Sequence, residues 1–221
     1  MNPDLKEFWH VGRNLAKDDE YRKWMHDNLI IKEVSGLSDK ANSLFNQFDN
    51  LGRSLLESIA LYLNLDEEYF SKATNKGNSV MRAIHYPPVN TNEIGERAGA
   101  HEDINLITLL IGGHESGLEI LTREGQWQDA TVDEEVIICN IGDMLQRLTN
   151  NFLLSTTHRV SASLLQSESS RYSIPFFVHP NPDWEISTLP SFFDENTPNL
   201  YTESIMAEDY LQERLREIKL I

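Results

Sequence analysis

The spacing of apolar residues along the chain changes from helical to strand-like near Gly77. Before that point, the longest patterned segment has apolar residues three or four positions apart: Leu44, Phe45, Phe48, Leu51, Leu55, Leu56, Ile59 and Leu63. This spacing predicts a helix of roughly 25 residues that opens at Ser38 and carries one apolar stripe. Such a stripe has to cover a hydrophobic surface, and we expect that surface to be the outside of a sheet.

Shorter helical signals lie on either side of the strand-like part. Acidic residues at 18–20 precede a short helical pattern that includes Met25, as the helix dipole favours, and a second acidic run at 66–68 opens another turn of helix. A last helix is expected from near Thr202. Residues 1–15 carry scattered apolar side chains, and we expect them to pack on the main domain.

After Gly77, short apolar or alternating runs are separated by turn residues, which is typical of β-strands. The predicted strands are 79–86, 105–111, 117–121, 127–130, 135–140, 155–161 and 171–179. We predict loops at 89–96 and 166–170 and a turn at Gly142-Asp143. Many short strands at this spacing predict a sandwich or barrel.

The predicted fold is therefore mainly β with flanking helices. We expect a helical N-terminal region at 1–78, a β-barrel core at 79–180, and a C-terminal loop and helix at 181–221 that pack on the barrel.

Composition narrows the classes of partner. The 221 residues carry a net charge of −16, with a pI near 4.8, and 40% of them are hydrophobic. An acidic surface argues against nonspecific binding to nucleic acid or to anionic membranes, since both need positive charge. With one cysteine, Cys139, the chain forms no internal disulfide, and no run approaches the roughly 20 apolar residues of a membrane helix. The polar start has no signal-peptide apolar region, so the expected location is cytoplasmic.

The chemistry is concentrated in His101, Asp103 and His158. On an extended strand or its end, residues two apart point to the same side, so His101 and Asp103 can face one point. A further strand has to bring His158 back to them. Two imidazoles and a carboxylate form a facial metal site with open positions, which suits Fe(II) and also Mn, Co, Ni or Zn.

A second pair, Arg171 and Ser173, is also two residues apart, so a guanidinium and a hydroxyl face one way and can hold a carboxylate. Taken alone, each of these residues has an ordinary structural explanation, such as a core histidine or a salt bridge. The order His-x-Asp, distant His, Arg-x-Ser is much less expected by chance.

These motifs resemble the isopenicillin N synthase-like Fe(II)/2-oxoglutarate dioxygenases. The matching segments are MRAIHYPP at 81–88, AGAHED at 98–103, NIGDM at 140–144, STTHRV at 155–160 and RYSIPFF at 171–177. The resemblance implies a double-stranded β-helix (a jelly-roll, cupin-like barrel) with a long supporting helix and the metal at one open end. Members of the family usually have a longer N-terminal region than this chain, which we expect to be a short or truncated form.

The resemblance also implies roles for individual residues. Iron would be bound by His101, Asp103 and His158. Arg171 and Ser173, joined by Tyr86, would hold the distal carboxylate of 2-oxoglutarate. The implied reaction is the oxidation of a small molecule with O₂, most often a hydroxylation, giving succinate and CO₂.

Strand alternation extends the site to a candidate substrate pocket. If Tyr86 faces inward, Ile84 and Arg82 share its face, and Phe177 shares a face with Arg171. An inward arginine needs an anionic partner, either a substrate carboxylate or a buried acid, and Phe177 fits core packing equally well. Ile84 stands where many plant members have Asn, so one polar contact to the cosubstrate is expected to be absent.

The remaining histidines lie outside this scheme. We expect His85 to face the opposite way and pack under the long helix. The others are expected to be surface or structural residues: His10, His26, His114 and His179.

Two other functions remain open on the sequence. One is a 2-oxoglutarate-independent iron oxidase of the isopenicillin N synthase type, because Arg-x-Ser can also hold a substrate carboxylate. The other is a degenerate barrel that only binds ligands. A metal hydrolase or isomerase on a jelly roll is a weaker alternative. The expected partner is a small-molecule substrate, without nucleic acid or membrane, and the sequence leaves the oligomeric state open.

Overall fold

A computed structural model of the chain describes residues 4–88, 97–112, 117–130, 135–161 and 170–218. The predicted loop at 89–96 and most of the one at 166–170 lie outside the described residues, as does His114.

The described residues form eleven strands and four α-helices. The helices are α1 (Leu37–Tyr62), α2 (Tyr69–Thr74), α3 (Asp143–Leu148) and α4 (Ala207–Glu217). The strands are β1 (Glu7–Gly12), β2 (Val80–Tyr86), β3 (Ala98–His101), β4 (Ile107–Ile111), β5 (Leu118–Leu121), β6 (Trp127–Asp129), β7 (Ile137–Ile141), β8 (His158–Val160), β9 (Arg171–Val178), β10 (Glu185–Ile186) and β11 (Ile205–Met206). Short 3-10 helices span Glu20–Lys23 and Pro190–Phe192.

Two antiparallel sheets enclose the interior of the barrel. The first has the strand order β1-β2-β9-β4-β7 and the second β3-β8-β5-β6, while β10 and β11 form a separate pair. Side chains from both sheets meet in one buried apolar cluster: Ile84, Tyr86, Ala98, Leu118 and Val160. The expectation of a mainly β barrel is confirmed.

Helix α1 covers the outer face of the five-stranded sheet, as its apolar stripe predicts. Phe176 of β9 is fully buried there, with its ring 5.1 Å from that of Phe45 and 5.2 Å from that of Phe48. A Cβ at Gly52 would lie 2.8 Å from Val178 Cγ2, so glycine allows the helix to approach this closely. Leu51, which we placed on the stripe, is instead 37% exposed.

Several elements differ from the expectation. Within the region expected to be helical, residues 7–12 form β1, whose conformation comes from pairing with β2 rather than from its own weak pattern. The predicted turn at Gly142-Asp143 is instead the start of helix α3. Helix α4 begins at Ala207 rather than near Thr202. Strands β3, β10 and β11 are too short for periodicity to reveal.

None of the helices in the described segments is both long enough and apolar enough to cross a membrane.

Candidate active site

The side chains of His101, Asp103 and His158 meet where the end of β3 lies beside the start of β8. Oδ1 of Asp103 lies 4.0 Å from Nε2 of His101 and 3.8 Å from Nε2 of His158. One nitrogen or oxygen atom from each side chain lies within 4.8 Å of the others. The structure thus brings together the three residues that the sequence selected.

A bulge in β3 turns His101 toward this point. Ala98 pairs with Val160 and His101 pairs with His158, so β3 has one more residue between the pairs than β8. Without the extra residue, alternation would place Ala98 and His101 on opposite faces; with it, both face the interior. His158 reaches the same interior by ordinary alternation with buried Val160.

The loop that carries Asp103 is held by the start of α3. The backbone N–H of Asp143 donates to the carbonyl oxygen of Asp103 at 2.9 Å, and that of Met144 donates to Asn105 at 3.1 Å. A Cβ at Gly142 would lie 2.1 Å from the carbonyl oxygen of Asn105, so only glycine fits this approach. Backbone hydrogen bonds therefore fix the position of the carboxylate.

Helix α4 contacts the same support. Oδ2 of Asp143 accepts hydrogen bonds from the Tyr210 hydroxyl at 3.1 Å and from Nε of Arg214 at 3.2 Å. Burial raises the pKa of Asp143 to about 7, although Arg214 acts in the opposite direction. The C-terminal helix is in this way connected to the Asp103 loop.

The donor set fits a divalent metal ion. Nδ1 of His101 lies 2.7 Å from the Gly99 carbonyl oxygen and Nδ1 of His158 lies 3.0 Å from that of Thr156, so each Nδ1–H donates and each Nε2 keeps its lone pair. Burial, together with His158, lowers the pKa of His101 and favours its neutral form. Oδ2 of Asp103 is buried without a hydrogen-bond partner among the described residues. A metal ion would satisfy these atoms.

Arg171 is buried in the same interior, at the start of β9. It is 3% exposed, and its Nε and Nη1 atoms have no hydrogen-bond partner in the described part of the chain. Strand pairing sets Tyr86 opposite Arg171 and Ile84 opposite Ser173, and the Tyr86 ring lies 5.2 Å from Cζ of Arg171. A buried guanidinium with free N–H groups is costly unless an anion fills the space. We call Arg171, Ser173 and Tyr86 the carboxylate seat.

Arg82 also faces the interior, where its described hydrogen-bond partner is a histidine rather than a buried acid, the second of the two anionic partners that the sequence left open. Its Nε lies 2.6 Å from Nε2 of His10, and its Cζ lies over the rings of Phe8 at 4.8 Å and Phe177 at 5.1 Å. No carboxylate among the described residues forms an ion pair with it. Phe177 lines this side of the sheet, while the neighbouring Phe176 enters the core.

Two histidines that we expected to be surface or structural residues lie beside the site. His10 contacts Arg82, and His179 is buried close enough for Asp103 and Arg82 to influence it, with its pKa lowered by burial to about 4. Alternation along β9 places Arg171, Ser173 and Phe177 on one face, and two residues further on the same rule would have predicted His179 there. His10 was missed because β1 was not predicted.

Two neighbours of the site have roles outside it. His85 does face away from the interior, but it contacts Glu7 at 3.0 Å and Ser170 at 3.1 Å rather than packing under α1. Glu102 points away from the triad and accepts a hydrogen bond from the Thr157 hydroxyl at 3.1 Å.

Comparison with known proteins gives one family. Residues 77–180 match the 2OG-Fe(II) oxygenase superfamily. A crystal structure of a 2OG-Fe(II) oxygenase family protein from Caulobacter crescentus is 46% identical, with a TM-score of 0.90 over 97% of this chain and 70% of that one. A full-length Neurospora crassa protein in complex with alpha-KG is 32% identical, with a TM-score of 0.85 over 98% of this chain and 67% of that one. The same Neurospora protein is also known with alpha-KG and thymine.

Among curated proteins, the 2-oxoglutarate-Fe(II) type oxidoreductase hxnY of Emericella nidulans is 30% identical over 202 residues, which is 86% of this chain. The chain spans only 56% of that relative's length, and 60% of the length of a similar oxidoreductase from Aspergillus fumigatus.

Proposed function

Because the chain belongs to the 2OG-Fe(II) oxygenase superfamily, whose cofactors are Fe(II) and 2-oxoglutarate, we propose that it oxidises a small molecule with O₂ and 2-oxoglutarate. Hydroxylation is the proposed outcome, with succinate and CO₂ as the other products. His101, Asp103 and His158 would hold the iron, and the carboxylate seat would hold the end of 2-oxoglutarate farthest from it.

One observation carries the proposal: a buried arginine with two unused N–H donors shares the interior with a converging His-Asp-His set. The triad by itself fits many metals and reactions. The guanidinium adds a demand for an anion inside the barrel, and a dicarboxylate that reaches from Arg171 to a metal meets both demands.

The chain's own residues orient the metal ligands and exclude water from the interior. Bound iron would supply the chemistry of O₂ activation. The carbonyl oxygens of Gly99 and Thr156 keep both imidazoles in the tautomer that presents Nε2. Apolar Ile84, Leu118 and Val160 line the interior beneath, where they exclude water and strengthen electrostatic contacts.

The substrate is proposed to be a small molecule that enters beside Arg82, Ile84 and Phe177. The complex of the Neurospora relative with alpha-KG and thymine supports a small-molecule substrate and makes thymine a reasonable first candidate. The expected cytoplasmic location remains a prediction.

The proposed function can be tested in two assays. The first measures 2-oxoglutarate affinity of the Mn(II)-loaded protein, because Mn(II) holds the cosubstrate without turnover. The second measures succinate from 2-oxoglutarate by the Fe(II)-loaded protein in air, with and without thymine. We expect saturable 2-oxoglutarate binding and succinate formation that needs iron.

Two results would contradict this. Iron-dependent oxygen uptake without succinate would favour the oxidase alternative. The absence of both metal and 2-oxoglutarate binding, in a protein with an intact circular dichroism spectrum, would favour the degenerate barrel.

A further inference from the structure

We propose that Arg82 anchors the substrate, and that its site takes the carboxylate of a planar aromatic or heteroaromatic acid. This inference rests on the proposed function and gives it a substrate class. The site consists of Phe8, His10, Arg82 and Phe177, which we call the aromatic clamp.

The first argument concerns charge. Arg82 faces the interior, and Asp103 is the carboxylate among the described residues whose charge acts on it. With a divalent metal on Asp103, that negative charge is already offset, and Arg82 is left facing the cavity as an uncompensated cation. A net charge of −16 repels anions from most of the surface. An unpaired cation in the interior is therefore a place where an anionic ligand can bind selectively.

The second argument concerns the direction of the guanidinium. Its described hydrogen bond goes from Nε to Nε2 of His10 at 2.6 Å, and no described residue bonds to Nη1 or Nη2. The two terminal nitrogens together form the fork that binds a carboxylate through two parallel hydrogen bonds. His10 is thus a positioning residue that holds one side of the guanidinium and leaves the fork for a ligand.

The third argument concerns shape. Cζ of Arg82 lies over the rings of both Phe8 and Phe177, and His10 stacks on Phe8 with ring centres 4.9 Å apart. Phe8 remains 52% exposed although strand pairing with Ile84 sets it on the site-facing side of the sheet. The exposed part of Phe8 beside this cation favours a flat ligand that packs on it while its carboxylate meets the fork.

The probes are three small ligands that separate charge from planarity. Benzoate is planar and anionic, benzamide is planar and neutral, and cyclohexanecarboxylate is anionic and not planar. Affinities are measured by calorimetry on the Mn(II)-loaded protein saturated with 2-oxoglutarate, so that the carboxylate seat is already filled. We expect benzoate to bind at least about 10-fold more tightly than benzamide, which lacks the charge-assisted contact. Cyclohexanecarboxylate keeps that contact but cannot stack, so benzoate should bind about 2- to 10-fold more tightly than it.

Substitutions then assign the binding to the clamp. Arg82→Gln should weaken benzoate by about 10- to 100-fold, and Arg82→Lys, which keeps the charge and loses the fork, should fall between. His10→Phe removes the acceptor and keeps a ring, so it should weaken benzoate, whereas His10→Gln should restore part of the affinity. Arg22→Gln is the matched control, since Arg22 pairs with Asp27 at 2.7 Å on the surface.

The 2-oxoglutarate affinity of each variant separates this inference from the proposed function. Equal benzoate affinity in wild type and Arg82→Gln, with 2-oxoglutarate binding intact, overturns the clamp and leaves the oxygenase function standing. If the wild-type protein does not bind 2-oxoglutarate, the proposed function is overturned. The clamp is then tested by titrating benzoate without cosubstrate into wild type and Arg82→Gln. Equal affinities for benzoate and benzamide in wild type would also overturn the clamp, because charge would then contribute nothing.

Discussion

Replacing Arg171 with methionine separates a cosubstrate-binding arginine from a structural one. Arg171 is 3% exposed, and two of its buried N–H groups lack partners among the described residues. An unsatisfied buried donor costs about 1–3 kcal/mol, so an apolar side chain of similar length should leave the metal-free protein as stable as wild type, or more stable by up to a few kcal/mol. If Arg171 belonged to a structural ion pair, the same change should cost about 3–5 kcal/mol.

Two measurements on the same variant decide the matter. Urea unfolding followed by circular dichroism gives the free energy of unfolding of the metal-free protein. Calorimetry with Mn(II) gives the 2-oxoglutarate affinity, which should fall by about 10- to 150-fold for the loss of a contact worth about 1.5–3 kcal/mol. Arg171→Lys should lie between wild type and Arg171→Met, and Arg22→Met serves as the surface control. Strong destabilisation with unchanged 2-oxoglutarate affinity would refute the carboxylate seat.

Three further substitutions test the metal site, the core and the support of the Asp103 loop. His101→Ala should abolish Mn(II) binding with a native circular dichroism spectrum, whereas Glu102→Gln, which lies outside the triad, should bind normally; equal binding in both would remove His101 from the site. Phe176→Ala should cost about 3–5 kcal/mol in urea unfolding, because a fully buried ring between two others leaves a cavity, and a cost below 1 kcal/mol would contradict this packing. The folded-state pKa of Asp143 is raised from 3.8 to about 7, so its contribution to stability is largest below pH 4 and is lost as the pH rises through 7. Between pH 4 and pH 8, Asp143→Asn should therefore gain stability relative to wild type, by at most about 4 kcal/mol, and a pH-independent difference in urea unfolding would show that Asp143 does not titrate there.

The sequence by itself determined the parts that depend on local periodicity. The helical spacing from Leu44 to Leu63 predicted α1 almost to its ends, because one face of a helix has to meet a core. Alternation in β2 and β9 placed Tyr86, Arg171 and Ser173 on one interior face for the same reason.

Only the tertiary structure decided how short segments contribute to the site. His101 points toward Asp103 and His158 because β3 has a bulge, and a one-residue insertion in a four-residue strand leaves no periodic signal. Strand β1 forms because β2 offers it an edge, so the positions of Phe8 and His10 depend on residues more than seventy positions away. The contact between Arg82 and His10 could not be predicted from the sequence, because it depends on β1, which gave no strand signal of its own. Residue type and spacing fix which groups can react, whereas long-range strand pairing fixes which of them meet, since pairing energy is shared between segments that are far apart in sequence.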